Sequence, residues 1–342
     1  MTEVVRDVAH ARVLLDLKRY DEAASLLVLI VAAEPSDGEA WCLLATAHLG
    51  AGQYRGALAA ASRALTLAPS DDWPYRLAST AYRHLGNVSA AVDAANEACK
   101  LAPHEWLAYI SLAQAQLATE IDFDAAERAA ATALRLAPLE PDAHFTAGHI
   151  SYTRESWKSA RAHLERALSL DPTHSGALNE LGLIRLHRGD HPRAAWHFIR
   201  AVRSAPDVSA YARNVEVAIR RAMVLTVQAA YLASVVLLVL TMAMNAPRRT
   251  VGIAYTAAMA VIGGYTAAQL WRMPPEMRPL LRTRRMALAL GVVYGAVLIA
   301  MITAVVTPAR ALPGLMLAAT ALIVASTFAA RLILRRKSGR AA

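Results

Sequence analysis

The side chains able to do chemistry are unevenly distributed along the chain. All eleven histidines, both cysteines and 25 of the 27 acids precede residue 209. His187 and His191 stand four apart, the spacing of two metal ligands on one helix face. Gly189, Asp190 and Pro192 make that segment a turn instead, so a metal pair is not expected there. His144 and His149 read as ordinary positions of a repeated pattern. Cys42 and Cys99 have no second ligand nearby and no disulfide framework around them, and two lone thiols fit a reducing compartment. The sequence carries no phosphate-binding loop, dinucleotide fingerprint, nucleophile elbow or metalloprotease helix. The expectation is a protein without metal or cofactor that is not an enzyme.

Charge divides the chain in the same place. The 342 residues carry a formal net charge of +9, with 56% hydrophobic and only 18% charged residues. Residues 1–208 hold 20 Lys+Arg against 25 Asp+Glu, a net of −5, whereas residues 209–342 hold 16 against 2, a net of +14. A basic chain invites a nucleic-acid reading, but the excess charge sits in the apolar half, which counts against one. The apolar content excludes intrinsic disorder. The first residues, Met1 to Asp7, are mixed in charge and lack the apolar run and small-residue cleavage site of a secretory leader, so the N-terminal half is expected in the cytoplasm.

Proline reveals the elements of that half. Pro35, Pro69, Pro103, Pro138, Pro172 and Pro206 are separated by 34, 34, 35, 34 and 34 residues. Twelve residues before each stands Ala23, Ala57, Ala91, Ala126, Ala160 or Ala194, and five before each stands Ile30, Ala64, Ala98, Ala133, Ala167 or Ala201. At one further phase come Ala11, Ala45, Ser79, Ala113, Gly148 and Gly182. Each unit holds two amphipathic helical stretches of about a dozen residues, and the small residues recur where two helices must approach closely. Trp41 and Leu44, Tyr75 and Tyr82, Tyr109 and Leu112, and Leu178 and Leu181 fill the space between them. Gly52, Gly86 and Gly189 mark turns within units, and proline ends units because it cannot continue a helix. The extra residue of the fourth unit falls near Glu120-Ile121-Asp122, in the inter-helix turn.

A 34-residue helix–turn–helix unit of this pattern resembles the tetratricopeptide repeat (TPR). The unit Gly38–Asp71 matches best, with Trp41, Leu44, Ala45, Gly52, Tyr54, Ala57, Ala64 and Pro69. The resemblance covers roughly residues 4–208 as six units, and departs where Val88 and His191 replace an aromatic and where the first unit lacks an early Trp or Tyr. It implies an α-solenoid whose first helices line a concave groove for a protein or peptide partner. The lining implied is Arg12, Asp16, Thr46, Arg76, Thr80, Arg83, Gln114, Phe145, His149, Tyr152, Asn179 and Leu183. Members that clamp acidic chaperone tails use a Lys/Asn/Lys/Arg set. Arg76 and Arg83 imitate only part of it, so chaperone binding is not expected.

Four apolar stretches follow, at about 222–244, 250–271, 286–306 and 311–334. Each is long enough to cross a hydrocarbon core as a helix, and only Arg331 interrupts their lack of charge. The fold class expected is therefore all-α: six TPR hairpins over 1–208, a capping helix over 209–221, four transmembrane helices within 222–334 and a basic tail, 335–342. No Pro or Gly occurs between Pro206 and Pro247, which predicts a nearly unbroken helix of about 35 residues, roughly 50 Å long, joining array to membrane. With the array inside, thirteen basic residues lie on the inner side: Arg213, Arg220, Arg221, the loop arginines Arg272, Arg278, Arg282, Arg284 and Arg285, then Arg331, Arg335, Arg336, Lys337 and Arg340. Only Arg248, Arg249 and Arg310 lie outside. That bias places both termini in the cytoplasm. The five loop arginines also suit anionic headgroups, at about 1 kcal/mol each.

Gly263-Gly264 and the Gly291-x-x-x-Gly295 pattern permit close helix packing within the membrane, and the latter also offers a homo-oligomer face on the third span. The most polar groups within the spans are Gln228 and Gln269, and the only acid after Glu216 is Glu276, in a Pro-rich loop. Pumps and ion-coupled carriers need more than that. The function expected is a membrane-anchored scaffold or adaptor of the inner membrane. The alternative is a regulatory or accessory subunit of a transport or envelope-assembly complex whose spans carry the activity. Abundant Ala and Arg with little Lys fit a GC-rich bacterial genome. A reporter fused after Ala342 should report a cytoplasmic C-terminus; an external one would overturn the orientation.

Overall fold

A computed structural model describes residues 2–118, 123–219, 221 and 222. Among these the chain is all helix and turn. The helices are α1 (Thr2–Asp16), α2 (Tyr20–Ala33), α3 (Gly38–Gly50), α4 (Tyr54–Leu67), α5 (Asp72–His84), α6 (Val88–Leu101), α7 (Trp106–Leu117), α8 (Phe123–Leu136), α9 (Pro141–Thr153), α10 (Trp157–Leu170), α11 (Ser175–His187) and α12 (His191–Ser204). A thirteenth, α13, begins at residue 209 and is followed to 219, with 221 and 222 also helical. The chain divides within α11 into two compact units, Met1–Glu180 and Leu181–Ala342. Among the described residues no helix is long and apolar enough to cross a membrane. The four expected spans beyond residue 222, Gly263, Gly264, Gly291 and Gly295, the loop arginines 272–285 and the junction helix past residue 222 all lie outside the described residues.

Several helix boundaries have a local cause. Asp37 caps α3 by accepting from the Ala40 amide at 3.0 Å, Asp71 caps α5 through the Trp73 amide at 3.1 Å, and Glu105 caps α7 through the Leu107 amide at 3.1 Å. Gly52, Gly86 and Gly189 adopt φ of +73°, +79° and +75° in the turn between paired helices, as their spacing suggests. The same turn is made at Lys18 (φ 57°) and Glu155 (φ 59°), where a side chain conceals it in the sequence. After Pro35, Pro103 and Pro138, the early ring is anchored to the loop it follows. Trp41 Nε1 donates to the Pro35 carbonyl at 3.0 Å, and Tyr109 hydroxyl to the Pro103 carbonyl at 3.2 Å. His144 Nε2 takes the same place on the Pro138 carbonyl at 3.0 Å. His144 is thus an ordinary repeat position, as its register implies.

Within residues 1–180 the paired helices pack as antiparallel hairpins, and each second helix packs on the next unit's first helix. Successive first helices also touch one another, α1 with α3, α3 with α5, α5 with α7 and α7 with α9, with no comparably close pairing between successive second helices. The first helices therefore form an inner row. The small residues read from the sequence sit at the crossings. Ala23, Ala57, Ala91, Ala126, Ala160 and Ala194 are all fully buried, as are Ala11, Ala45 and Ala113. Ser79 is buried too, and its hydroxyl donates to the Ala91 carbonyl at 2.8 Å.

At Gly148 and Gly182 the crossing is tighter still. A Cβ on Gly148 would lie 2.9 Å from the Leu164 side chain, and one on Gly182 would lie 2.5 Å from Phe198 Cε1. The second helices carry alanine at the register of Leu164 and Phe198 in the middle units, as Ala61, Ala95 and Ala130. From the second unit on, volume is exchanged across the crossing: glycine faces Leu or Phe where alanine or serine is in register with alanine, while the first unit has Ala11 in register with Leu27. In residues 181–222, Phe198 is fully buried, in a cluster of Leu186, Ala194, Ala195, Ile199 and Ala218 on α11, α12 and α13. Gly182→Ala should therefore cost about 1–3 kcal/mol by overpacking. Gly38→Ala, whose Cβ would meet Leu67 at an ordinary 3.7 Å, should be neutral. Thermal denaturation followed by circular dichroism compares the two.

Candidate partner-binding face

The residues expected to line a groove lie on the first helices, but they differ in how committed they already are. Arg12 is exposed on α1 and ion-paired with Glu39 of α3. Asp16 is also exposed. Thr46 and Thr80 are half-buried, and their hydroxyls donate back to the Cys42 and Arg76 carbonyls at 2.9 and 3.0 Å. Arg76 holds Asp72 one turn earlier, Nε to Oδ2 at 2.5 Å, with both side chains less than a fifth exposed. Its charge is spent within α5. Gln114 of α7 and Asn179 of α11 are half-buried, and Leu183 packs against the cluster around Phe198.

Arg83 differs from Arg76. It is half-buried near the end of α5, with no carboxylate partner among the described residues, and its guanidinium meets only His84 Nε2 at 3.3 Å. Burial pulls its pKa below the ordinary value, opposed by nearby Tyr54. The Tyr54 ring stacks on His84 with centroids 4.3 Å apart. A desolvated cation without a counter-ion is costly to hold and gains from an anion supplied from outside.

The second feature centres on α9. Phe145, His149 and Tyr152 recur at helical spacing. The Phe145 ring lies 5.9 Å from His149 and 4.8 Å from His174, and Tyr152 meets Trp157 edge-on at 5.4 Å. His149 Nδ1 bonds Glu180 Oε1 of α11 at 2.5 Å. The Glu180 side chain is 8% exposed and that of His149 41%. The other carboxylate oxygen, Oε2, is buried without a hydrogen-bond partner among the described residues, so within them His149 is the group that compensates this buried acid. The hydrogen bond that His149 donates to the Glu180 carboxylate raises the His149 pKa from its ordinary 6.5, against opposition from burial and from Arg83, two units back along the row. Arg83 is thus within electrostatic reach of His149. Burial and Glu180 together push the Tyr152 hydroxyl upward.

Glu180 escaped the sequence reading, which named its neighbour Asn179. The signal was one of register. Positions 43, 77, 111, 146 and 180 are equivalent and hold Leu, Leu, Ser, Thr and Glu; Leu43, Leu77 and Thr146 are all buried. An acid at a core register needs a partner. The remaining chemistry-bearing groups are structural. His174 Nδ1 accepts from the Ala177 amide at 3.1 Å and its Nε2 donates to Asp142 at 3.0 Å. Burial pushes the Cys42 thiol up to about 12 and Cys99 up to about 11, far from thiolate reactivity. Among the described residues no three His, Cys, Asp or Glu are placed to hold a metal ion.

Comparison with known proteins agrees with this geometry. The tetratricopeptide repeat family profile matches residues 8–72, 122–175 and 145–209. The chain thus shares, among its described residues, the all-α fold of tetratricopeptide-repeat proteins. Its fold is similar to that of TTC0263, a thermophilic TPR protein of Thermus thermophilus, with 21% identity, a TM-score of 0.50, and coverage of 53% of this chain and 98% of that one. It is also similar to a chain in the APC/C hetero-tetramer Cut9-Hcn1, with 19% identity and a TM-score of 0.53. That match covers 63% of this chain but only 42% of the other, so the protein spans less than half the length of that relative. No curated protein matches the chain significantly in sequence.

The sign of the His149 perturbation yields a test. A raised folded pKa means that the stability contributed by the pair is fully present below the unfolded value near 6.5 and is lost as pH rises through the folded value. In Glu180→Gln only burial and Arg83 still act on the imidazole, and both disfavour its charged form. His149 should titrate above 6.5 in the wild type and below 6.5 in the variant, read from its ring-proton NMR shifts.

Proposed function

We propose that the protein is a membrane-anchored scaffold or adaptor that holds a protein or peptide partner against the first-helix row of its TPR array. The observation that carries this reading is Arg83, a half-buried cation of the inner row with no carboxylate partner among the described residues. Beside it the row presents half-buried Gln114, Phe145, His149 and Tyr152. Rows of this kind suit an extended segment or an amphipathic helix.

The anchoring part of the proposal rests on sequence. Four uncharged stretches of spanning length and a thirteen-to-three bias of basic residues support a multi-pass protein of a bacterial inner membrane with both termini in the cytoplasm. The loop arginines would meet lipid headgroups, and the third span would offer a contact between copies. The spans contribute almost no ionisable chemistry, since Glu276 is the only acid after Glu216. That favours anchoring over transport. Nucleic acid is disfavoured as a partner by the net −5 of residues 1–208.

Cross-linked partners recovered with the wild type should be lost from a variant carrying Arg83→Glu and Tyr152→Ala, with helical content unchanged by circular dichroism. Recovery of the same partners from both proteins would refute the groove.

A further inference from the structure

Register and charge assign a partner to one edge of the last unit, resting on the membrane-anchored reading. α13 keeps the register of the first helices: Ala218 stands where Ala47, Ala81, Ala115, Ile150 and Ile184 stand, and all of them are buried. It shares one cluster with Leu186 near the end of α11 and with Ala194 and Ala195 near the start of α12. The short connection 205–208 makes α12 and α13 antiparallel neighbours, so the end of α13 lies beside the turn between α11 and α12. Burial, and after it Arg221, pulls the His191 pKa below its ordinary value, which agrees with that placement. In sequence, the first apolar stretch departs from this same edge: position 223 is in register with the turn glycines Gly52, Gly86 and Gly189.

That edge is basic. Asp190 Oδ2 meets Arg193 Nη1 at 3.2 Å and Arg185 Nη1 at 3.5 Å, one carboxylate shared by two guanidinium groups. Arg188 and Arg221 are exposed, and no acid among the described residues pairs with them. Residues 185–193 carry a net +2, while none of the equivalent earlier turns exceeds +1. The change of sign is wider than the turn. Residues 1–180 hold 15 Lys+Arg against 23 Asp+Glu, whereas residues 181–222 hold 8 against 3. We propose that the α11–α12 turn and the end of α13 form a docking surface for anionic phospholipid headgroups, with Arg188, Arg193 and Arg221 on the phosphates. Guanidinium groups suit this task because they bind phosphate oxygens in pairs. A membrane is favoured over other polyanions because the surface adjoins the start of an uncharged stretch of spanning length. The contact seats the last unit on the bilayer instead of leaving it on a loose tether.

Full-length protein reconstituted in nanodiscs tests this through the rate at which phenylglyoxal modifies individual arginines, read by peptide mass spectrometry. Arg188, Arg193 and Arg221 should react about tenfold more slowly in discs containing phosphatidylglycerol than in discs of phosphatidylcholine alone. High salt should remove the difference. Arg63 of α4 and Arg166 of α10, both exposed, should react alike in the two lipids. In a variant carrying Arg188→Gln and Arg193→Gln, with helical content unchanged by circular dichroism, the slowing at Arg221 should be lost. Its persistence would mean that Arg221 is shielded only by its nearness to the first span, and would overturn the shared surface. Equal slowing of all five arginines, or none at Arg188 and Arg193, overturns it as well. If homopolymeric RNA slows these arginines in phosphatidylcholine discs and phosphatidylglycerol does not, the surface belongs to nucleic acid and the inference is wrong. If the protein enters neither disc and stays in solution without detergent, the anchoring reading fails and this inference fails with it.

Discussion

The whole array depends on how closely two helices can cross. Each unit buries a small residue of its first helix against its partner, and that contact fixes the separation of the hairpin. The Gly148–Leu164 and Gly182–Phe198 contacts show the constraint plainly, because no Cβ fits at either glycine without displacing the facing side chain. Where the first helix carries alanine or serine, the partner register carries alanine instead in units two to four. From the second unit to the sixth the two sides of the crossing compensate in volume, whereas the first unit keeps Ala11 with Leu27. Interiors packed to crystal-like density leave little alternative.

The candidate site inherits its positions from that constraint. His149 follows Gly148 directly, so the close α9–α10 crossing also sets where the imidazole stands. One face of α9 is committed to α10, and Phe145, His149 and Tyr152 lie on the remaining face of the same helix. The row formed by successive first helices then carries the field of Arg83 across α7 to His149. Nothing at the site requires irregular backbone. Rigid helices position every group, and this suits recognition more than the loop-borne chemistry of many active sites.

Much of this was legible in the sequence, and the reasons are physical. Proline spacing and recurring alanine report backbone and packing constraints that repeat with every unit, so six copies amplify a weak signal. The glycine turns were legible because glycine adopts positive φ without strain; Lys18 and Glu155 make the same turn and were not, because tertiary context imposes it on them. The inner-face residues were found by register, but register alone could not separate Arg76 from Arg83. Only the position of Asp72, one turn before Arg76, shows that one cation is spent and the other is not. The expectation against chaperone-type clamping rested on missing Lys and Asn positions, and pairing of Arg76 removes half of the remaining imitation.

Glu180 shows where such a reading can be extended. A repeat array supplies its own alignment: each unit is a template for the others, and a departure from the shared register is visible within one chain. Leu at 43 and 77 needs nothing beyond burial, Ser at 111 and Thr at 146 close hydrogen bonds within their own helices, and Glu at 180 can do neither. A buried carboxylate is tolerated only with a compensating partner from outside its own helix, and removal of either member of such a pair costs more than replacement of both. The repeat unit secures the fold wherever its consensus is kept. The departures are therefore the positions at which the array is free to acquire a function, and the costliest of them, a buried acid tied to a half-exposed histidine, is the one that the packing of the solenoid does not itself require.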